Sequence, residues 1–353
     1  MAESELKDVA VHALDRARSL GAQEAKAWIA RGSEIEMEQR EGRLVKSSEA
    51  SSRGLSMSML VDDRFSTHST SDLRPAALDA FLARAVEATR TLEPDPDRAL
   101  LARERMGTLA LEGLDLCDST PPRSAVQRRA DVAGVEAAIR EKGGDDLVST
   151  TAYGWEGNSE AWAFFSNGFE AYTTSSSFGS GGEVTLREAS GKLPEAAAFF
   201  SARHLEDVPD ASAVSKEVWR RAGWITEAKS APSGRYPMLL ANHAVGRIFG
   251  SMLGPLAGSS IWQGRSIFAD KLGEQIAASG LSLWDEPLIP RGLGTRPFDG
   301  DGMAPKRRPI LEDGCLKTWL LDVYHARKLE REPNCGSVTN LVVEAGEGSF
   351  QDI

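Results

Sequence analysis

Hydrophobic residues near the start of the chain follow two different periods. The first twenty residues place their apolar side chains on one helical stripe, and Gly21 stands where such a helix would end. The stripe consists of Leu6, Val9, Ala10, Ala13, Leu14, Ala17 and Leu20. From Glu34 to Glu38, acidic and apolar residues alternate instead, which is typical of a half-buried strand.

Residues 1–92 are therefore predicted to form one α+β domain, an antiparallel sheet flanked by two helices. The second helix is predicted over Pro75–Thr89, because proline suits the first helical turn. Turn residues occur at Arg40–Arg43 and at Asp62-Asp63. The predicted strands are Glu24–Ala30, Ser33–Arg40, Leu44–Ser51, Gly54–Val61 and Arg64–Ser69.

A central β-rich domain is predicted over residues 120–230. Helices are expected at Ser124–Lys142 and Ala213–Thr226, with strands between them. The Ser/Gly-rich segment Thr173–Gly182 is short and lies between strand patterns, which favours a strand followed by a turn over a linker.

The C-terminal domain is predicted over residues 234–353. A helix is expected at Asn242–Leu256, and Glu312-Asp313-Gly314 indicates a hairpin. Strands are predicted at Tyr236–Leu240, Leu281–Trp284, Arg308–Glu312 and Leu316–Leu321. The fold class is thus α+β, an N-terminal antiparallel sheet with flanking helices followed by β-rich central and C-terminal regions.

Charge and cysteine content narrow the possible partners and the compartment. The 353 residues include 41 Lys or Arg and 52 Asp or Glu, for a formal net charge of −11. Non-specific nucleic-acid binding needs a basic surplus, so nucleic acid is not an expected partner. The most apolar stretch, Tyr236–Gly258, is interrupted by polar residues and prolines, so a membrane span is not expected either. The acidic N-terminus and the three scattered cysteines favour a reduced cytoplasmic protein.

Few sequence motifs point to chemistry on their own. Gly292-Leu293-Gly294 lacks the third glycine of a dinucleotide loop and is typical of a turn. No two histidines stand at a metal-binding i, i+4 spacing, and His243 alone has suggestive neighbours. Cys117, Cys315 and Cys335 are all expected to be inert, and a hydrolase with Cys315 or Cys335 as nucleophile stays open as a weaker alternative.

Several motifs, in one order along most of the chain, resemble the TldD/PmbA family, and most closely its TldE (PmbA) branch. They are Arg53–Arg64, Ser69–Leu73, Gly264–Ser266, Lys271–Gln275, Gly292–Asp299, Asp301-Gly302 and Ile310–Gly314. The resemblance implies a heterodimeric cytoplasmic zinc peptidase that acts on unfolded peptides. In that family the TldD subunit holds zinc on an H-E-A-V-G-H helix, in which histidines bind the metal and glutamate activates water.

The corresponding stretch of this chain is Asn242-His243-Ala244-Val245-Gly246-Arg247. Asn242 and Arg247 stand at the two ligand positions and His243 at the position of the base. Because a guanidinium stays protonated and an amide is a poor zinc ligand, no metal is expected in this chain. The resemblance thus implies a non-catalytic subunit, with zinc in a TldD-like partner.

Such a subunit would help to enclose the peptide. The expected wall is the region Ser149–Leu205 or the loop Gly292–Asp299, with Gly292, Gly294, Arg296 and Asp299 as substrate or interface candidates; ordinary core and turn is the alternative. The chain also ends at Ile353, before the last strands of the family, so it is expected to be either a shortened variant or a fragment. A non-enzymatic homodimer that binds peptides or regulates another protein, as the older family label "modulator of DNA gyrase" suggests, is the alternative function.

Overall fold

The structure is a computed structural model that describes residues 3–106, 112–226 and 228–347. The helices of these ranges are α1 (Glu3–Ser19), α2 (Pro75–Arg90), α3 (Ala125–Glu141), α4 (Ala211–Ile225), α5 (Asn242–Leu256), α6 (Gly258–Trp262) and α7 (Val323–Lys328). The strands are β1 (Glu24–Arg40), β2 (Arg43–Val61), β3 (Arg64–Thr70), β4 (Leu147–Phe165), β5 (Glu170–Leu186), β6 (Glu195–Ala202), β7 (Leu283–Asp285), β8 (Arg308–Glu312), β9 (Cys315–Leu316) and β10 (Leu341–Val343). The chain end at Ser349–Ile353, with the shortening expected there, lies outside the described residues.

Six long strands form one antiparallel sheet in the order β3-β2-β1-β4-β5-β6. Segments 1–92 and 120–230 therefore contribute strands to a single shared sheet. The predicted turns are confirmed: Glu41 and Gly42 have φ of 48° and 73°, and Asp62 and Asp63 have φ of 50° and 60°. Two positive φ values in succession are typical of a type I′ hairpin, whose twist matches the flanking strands.

The helices cover one face of this sheet in two pairs. Helices α1 and α2 share an apolar cluster with Ile29 of β1 and Phe164 of β4, and α3 and α4 share a second cluster with Met37 and Ala152 of the same two strands. Ile29 and Met37 are eight residues apart, and an even spacing places side chains on the same face of a strand. The two helix pairs therefore sit at opposite ends of one face, and the middle of each long strand lies between them.

The opposite face of the sheet carries the C-terminal region. Phe165 and Phe169 pack there against Phe298 and Val323 in a separate apolar cluster. Phe169 and Phe298 meet edge to face, with ring centroids 5.4 Å apart. The sheet thus separates two sides of the protein, one helical and one formed by residues 100–106 together with residues after 233.

The C-terminal region contains shorter strands than the sequence predicts, in a small sheet of order β10-β7-β8-β9. Tyr236–Leu240 is irregular, so its prediction as a strand is wrong, because Pro237 lacks an N–H and no described strand lies beside it to pair with. Leu316–Leu321 is a strand only at Leu316, since Leu320 N–H donates to Leu256 O at the end of α5 instead. The predicted hairpin is confirmed, with φ of 50° at Asp313 and 77° at Gly314.

A buried carboxylate ties the segment before α3 to the end of the sheet and predicts an acid-sensitive contact. Asp118 Oδ2 accepts the Leu205 N–H at 2.8 Å, and Asp118 Oδ1 accepts the Thr120 N–H at 2.7 Å. Burial opposes its ionisation, but hydrogen bonds from Thr120 and Leu205 outweigh burial and lower the pKa of Asp118 from 3.8 to about 2.

The stability that Asp118 contributes is expected to be complete above about pH 4 and to disappear as the pH falls towards 2, since its pKa is lower in the folded chain than in the unfolded one. Asp118→Asn should lower the free energy of unfolding by on the order of 1 kcal/mol at pH 7 and by progressively less below pH 4. Urea unfolding at a series of pH values measures this, with exposed Asp145→Asn as control. A pH-independent difference would contradict the assignment.

Candidate functional site

The helix singled out by the sequence is formed, and it is exposed. Helix α5 runs over Asn242–Leu256, as predicted, and only Leu256 of its residues is buried. Phe249, Met252 and Leu253 pack in part against the C-terminal core, while Ile248 faces outward. Pro255 lies in its last turn, and α6 begins directly after Ala257.

The three positions that align with a metal-binding motif are all exposed on the first two turns of α5. Asn242 Oδ1 accepts the His243 N–H at 2.8 Å, an interaction that helps to start the helix. The His243 ring stacks on Trp224 at the end of α4, with centroids 5.7 Å apart and planes 18° apart. The imidazole at the position of the base is therefore engaged by an indole.

These residues do not fit a zinc ion. Arg247 carries a guanidinium that stays protonated at any relevant pH, so it has no lone pair to offer a metal. Asn242 offers a weak amide oxygen, which leaves His243 as the single good donor. Across the described ranges, no group of three or more His, Cys, Asp or Glu side chains is arranged to hold a metal ion.

The glycines of the loop Gly292–Asp299 are packed against a later segment. A Cβ added to Gly294 would lie 2.3 Å from Thr339 O, and one added to Gly292 would lie 2.4 Å from Thr295 Oγ1. The Gly294 N–H donates to Asn340 Oδ1 at 2.9 Å. Both candidates therefore stand where the backbone approaches its neighbours too closely for a side chain.

The two polar candidates of this loop also bond within the chain. Arg296 Nη2 donates to Ser337 O at 3.0 Å and to Val338 O at 3.1 Å. Asp299 is buried, and its Oδ1 accepts the Asp301 and Met303 N–H groups at 2.9 and 3.0 Å. Burial is the main cause that raises the pKa of Asp299, and the nearby negative charge of Asp301 raises it further. The contacts of these two side chains shape the loop and bind it to residues 337–338.

The cysteine environments disfavour nucleophilic chemistry at Cys335. Its thiol is buried, and burial together with the Asp299 carboxylate raises its pKa to about 12. A thiol with that pKa stays protonated at neutral pH, whereas the thiolate is the nucleophile. Cys315 Sγ lies 3.0 Å from Gln275 Oε1, and Cys117 accepts a hydrogen bond from the Thr174 hydroxyl at 3.6 Å.

Sequence reasoning missed a charged junction between the two sides of the protein. Arg291 pairs with Asp115 at 2.6 Å, Glu206 at 2.6 Å and Asp207 at 3.0 Å. The carboxylates precede Arg291 by 84 to 176 positions, so no local pattern could have indicated the contact. Arg203 reinforces this junction by donating to Leu293 O at 2.7 Å.

Sequence reasoning also missed a polar groove in the middle of the helical face, between the two helix pairs. The groove has a volume of about 500 Å³. Side chains of three strands line it: Arg31, Ser33, Ser51, Arg53, Asn158 and Glu160. The serine-rich segment of β2 signalled a polar surface, but the pairing of Ser33 with Ser51 and with Asn158 that assembles the groove depends on the register of distant strands.

Comparison with known proteins agrees with this fold. Residues 233–353 match the family described as PmbA/TldA metallopeptidase C-terminal domain. Metalloprotease PmbA of Escherichia coli O157:H7 is 26% identical over 341 residues, which cover 93% of this chain and 73% of that protein. The C-terminal third of the chain thus resembles PmbA/TldA metallopeptidases, and the chain as a whole is similar to metalloprotease PmbA.

Two solved structures are similar over nearly the whole chain. A proposed modulator of DNA gyrase from Bacteroides thetaiotaomicron VPI-5482 superposes with a TM-score of 0.90 and 29% identity, covering 98% of this chain and 78% of that one. TldE from Thermococcus kodakarensis superposes with a TM-score of 0.79 at 17% identity, covering 98% and 79%. The α+β class, with a large antiparallel sheet and flanking helices, is thereby confirmed. None of the described helices is both long and apolar enough to cross a membrane.

Proposed function

We propose that this chain is a TldE-like subunit of a cytoplasmic peptidase, paired with a TldD-like subunit that holds the zinc and cuts unfolded peptides. The observation that carries this proposal is the chemistry of α5. Its exposed positions Asn242, His243 and Arg247 replace the two ligands and the base of the motif in a metal-holding subunit. A subunit with this helix needs a partner to supply the metal and the activated water.

The exposed surface near α5 supports the proposal that a partner protein binds there. Tyr236, Met238 and Leu239 are 59%, 74% and 55% exposed, and Ile248 on α5 is 47% exposed. Exposed apolar residues just before α5 and on it are typical of surfaces that another protein covers. Helix α5 would face the zinc-bearing helix of the TldD-like partner. An apolar surface beside α5 is therefore consistent with a subunit that encloses a chamber together with that partner.

The edge of the large sheet supports a role in holding peptide. In the described part of the chain β6 pairs with β5 alone, so its outer edge is open for main-chain hydrogen bonds with an extended peptide. Such bonds are indifferent to side-chain sequence, as a peptidase for varied unfolded substrates requires. Arg221 Nη1 already donates to Ala197 O at 3.0 Å and occupies part of the strand.

Co-expression with a TldD-like chain that has an intact H-E-x-x-x-H motif tests the proposal. We expect the two to co-purify, to hold zinc and to cleave an unfolded peptide, and we expect activity to vanish when a motif histidine of the partner is replaced. Alanine at Asn242, His243 and Arg247 together should change activity of the complex by less than about twofold. An isolated chain that retains stoichiometric zinc and cleaves peptides would overturn the assignment.

The apolar surface gives a second expected result. Ile248→Glu should weaken pairing with the TldD-like chain at least about tenfold, because a charge would be buried in the contact. Val126→Glu on α3 is the matched control, since Val126 is 78% exposed and lies on another helix. Size-exclusion chromatography with light scattering measures both. A stable homodimer that ignores the TldD-like chain would favour the regulatory alternative instead.

A further inference from the structure

A second cavity lies on the helical face, beside α3 and separate from the polar groove. It has a volume of about 470 Å³ and is partly open to solvent. Helix α3, strands β1, β4 and β5 and the segment 205–211 enclose it. Its apolar walls include Ile35, Met37, Val132, Val135, Phe178 and Val208. Pockets of about 300–1,000 Å³ with walls of this kind are the size that holds a small organic ligand.

The polar end of this cavity is built around one buried carboxylate. Glu156 is 9% exposed and accepts from Arg123 Nε at 2.6 Å and from Arg128 Nε at 2.8 Å. Arg123 also pairs through Nη1 with Asp131 at the rim. Asp210, the other acid of the lining, accepts the Ala213 N–H at 2.8 Å as the N-cap of α4. Both rim acids and Arg123 are therefore engaged within the chain.

Arg128 differs from these groups. Its side chain is 14% exposed. Within the described part of the chain, only Nε of its guanidinium has a hydrogen-bond partner, the Glu156 carboxylate. A guanidinium has five N–H donors in a fixed fork, so the two Nη groups of Arg128 keep donor capacity at the edge of an apolar cavity. A carboxylate is the group that this fork binds best, through two parallel hydrogen bonds.

We propose that this cavity binds an apolar group that carries a carboxylate, with the apolar part between α3 and the sheet and the carboxylate on Arg128. The carboxyl-terminal residue of a peptide, with a large apolar side chain, has this chemistry, and so does a free apolar carboxylic acid. The cavity is formed by this chain alone, so the site is independent of the proposed pairing with a TldD-like subunit.

Gly134 allows the cavity to be filled without disturbing its walls. It lies within α3 and lines the cavity, and a Cβ at this position would meet no heavy atom within 4 Å. Gly134→Leu therefore places a side chain in the open space, and it should not destabilise the helix, because leucine has the better helix propensity. Gly223→Leu on α4 is the matched control, since Gly223 is exposed, helical and equally open around its Cβ.

Isothermal titration calorimetry of the isolated chain tests the site with three probes: acetyl-Ala-Ala-Phe with a free carboxylate, its carboxamide, and 3-phenylpropionate. We expect the free-acid peptide or 3-phenylpropionate to bind, and the tighter of the two identifies the source of the ligand. The carboxamide should bind at least about tenfold more weakly than the acid, as should the acid to Arg128→Gln. Gly134→Leu should reduce binding at least about tenfold, and Gly223→Leu should leave it unchanged.

Three results would overturn the proposal. In the first, the free-acid peptide and 3-phenylpropionate both fail to bind at several millimolar. In the second, binding persists in Gly134→Leu, which means that the ligand binds outside this cavity. Equal affinity of the acid and the carboxamide would likewise reject the role of Arg128. Thermal unfolding of each variant establishes that lost binding is not lost folding, and Arg128→Lys, which keeps the charge but not the fork, should recover only part of the affinity.

Discussion

Replacing Asp285 with alanine is expected to lower the free energy of unfolding by about 3–5 kcal/mol. Asp285 ends β7 and is 1% exposed. Its carboxylate accepts from Arg308 Nε at 3.1 Å, from the Thr339 N–H at 2.7 Å and from the Thr339 hydroxyl at 2.5 Å. Without it, a mostly buried guanidinium loses its counter-charge, and two partly buried donors of Thr339 lose their acceptor. Urea unfolding followed by circular dichroism measures the loss.

The neighbouring ion pair provides the control for this prediction. Glu286 follows Asp285 in the chain and pairs with Arg307, which precedes Arg308, and these side chains are 26% and 56% exposed. Because exposed ion pairs contribute little, Glu286→Ala should lower the free energy of unfolding by less than about 1 kcal/mol. An equal loss in the two variants would show that burial does not distinguish the pairs. Asn in place of Asp285 should recover part of the loss, since its oxygen still accepts from Thr339.

The elements that the sequence predicted well are those that local patterns determine. Helices α2, α3, α4 and α5 follow their predicted ranges within about two residues, and α1 ends within two residues of Gly21. Apolar periodicity and flanking turn residues specify a helix without reference to the rest of the chain. The strands were predicted in halves. β1 continues through Gly32 and β2 through Ser52, where propensity is weak. Gly32 is paired on both sides, with Ser52 of β2 and Ser159 of β4, and Ser52 is held by its pairing with Gly32.

What the sequence could not predict are contacts between distant segments. The motif Gly292–Asp299 was recognised, but the reason for a glycine at position 294 lies at Thr339, outside the motif. The same holds for the cavity beside α3, whose walls come from five separate segments. The one local feature that could have indicated this cavity is Gly134, because a glycine inside a helical pattern often has a packing or functional reason. The range of α5, by contrast, was accessible from the sequence.

The loop Gly292–Asp299 has two possible interpretations, and the reason for its glycines distinguishes between them. As a binding surface, its residues would be needed by a partner or substrate and tolerated by the fold. As a packed junction, they would be needed by the fold itself. The distances favour the second interpretation for Gly294, whose missing side chain lets Thr339 approach and the Gly294 N–H reach Asn340.

Gly294→Ala is therefore expected to lower the free energy of unfolding by about 3 kcal/mol. Its Cβ would lie 2.3 Å from Thr339 O and 2.7 Å from Thr339 C, and both atoms belong to the backbone, so a side-chain rotation cannot relieve the overlap. Gly300→Ala is the control in the same segment, because Gly300 is exposed and its Cβ would meet no heavy atom within 4 Å, so its effect should stay within about 0.5 kcal/mol. If Gly294→Ala unfolds like the natural chain but fails to pair with a TldD-like subunit, the loop acts as an interface, because a packing role cannot leave stability unchanged.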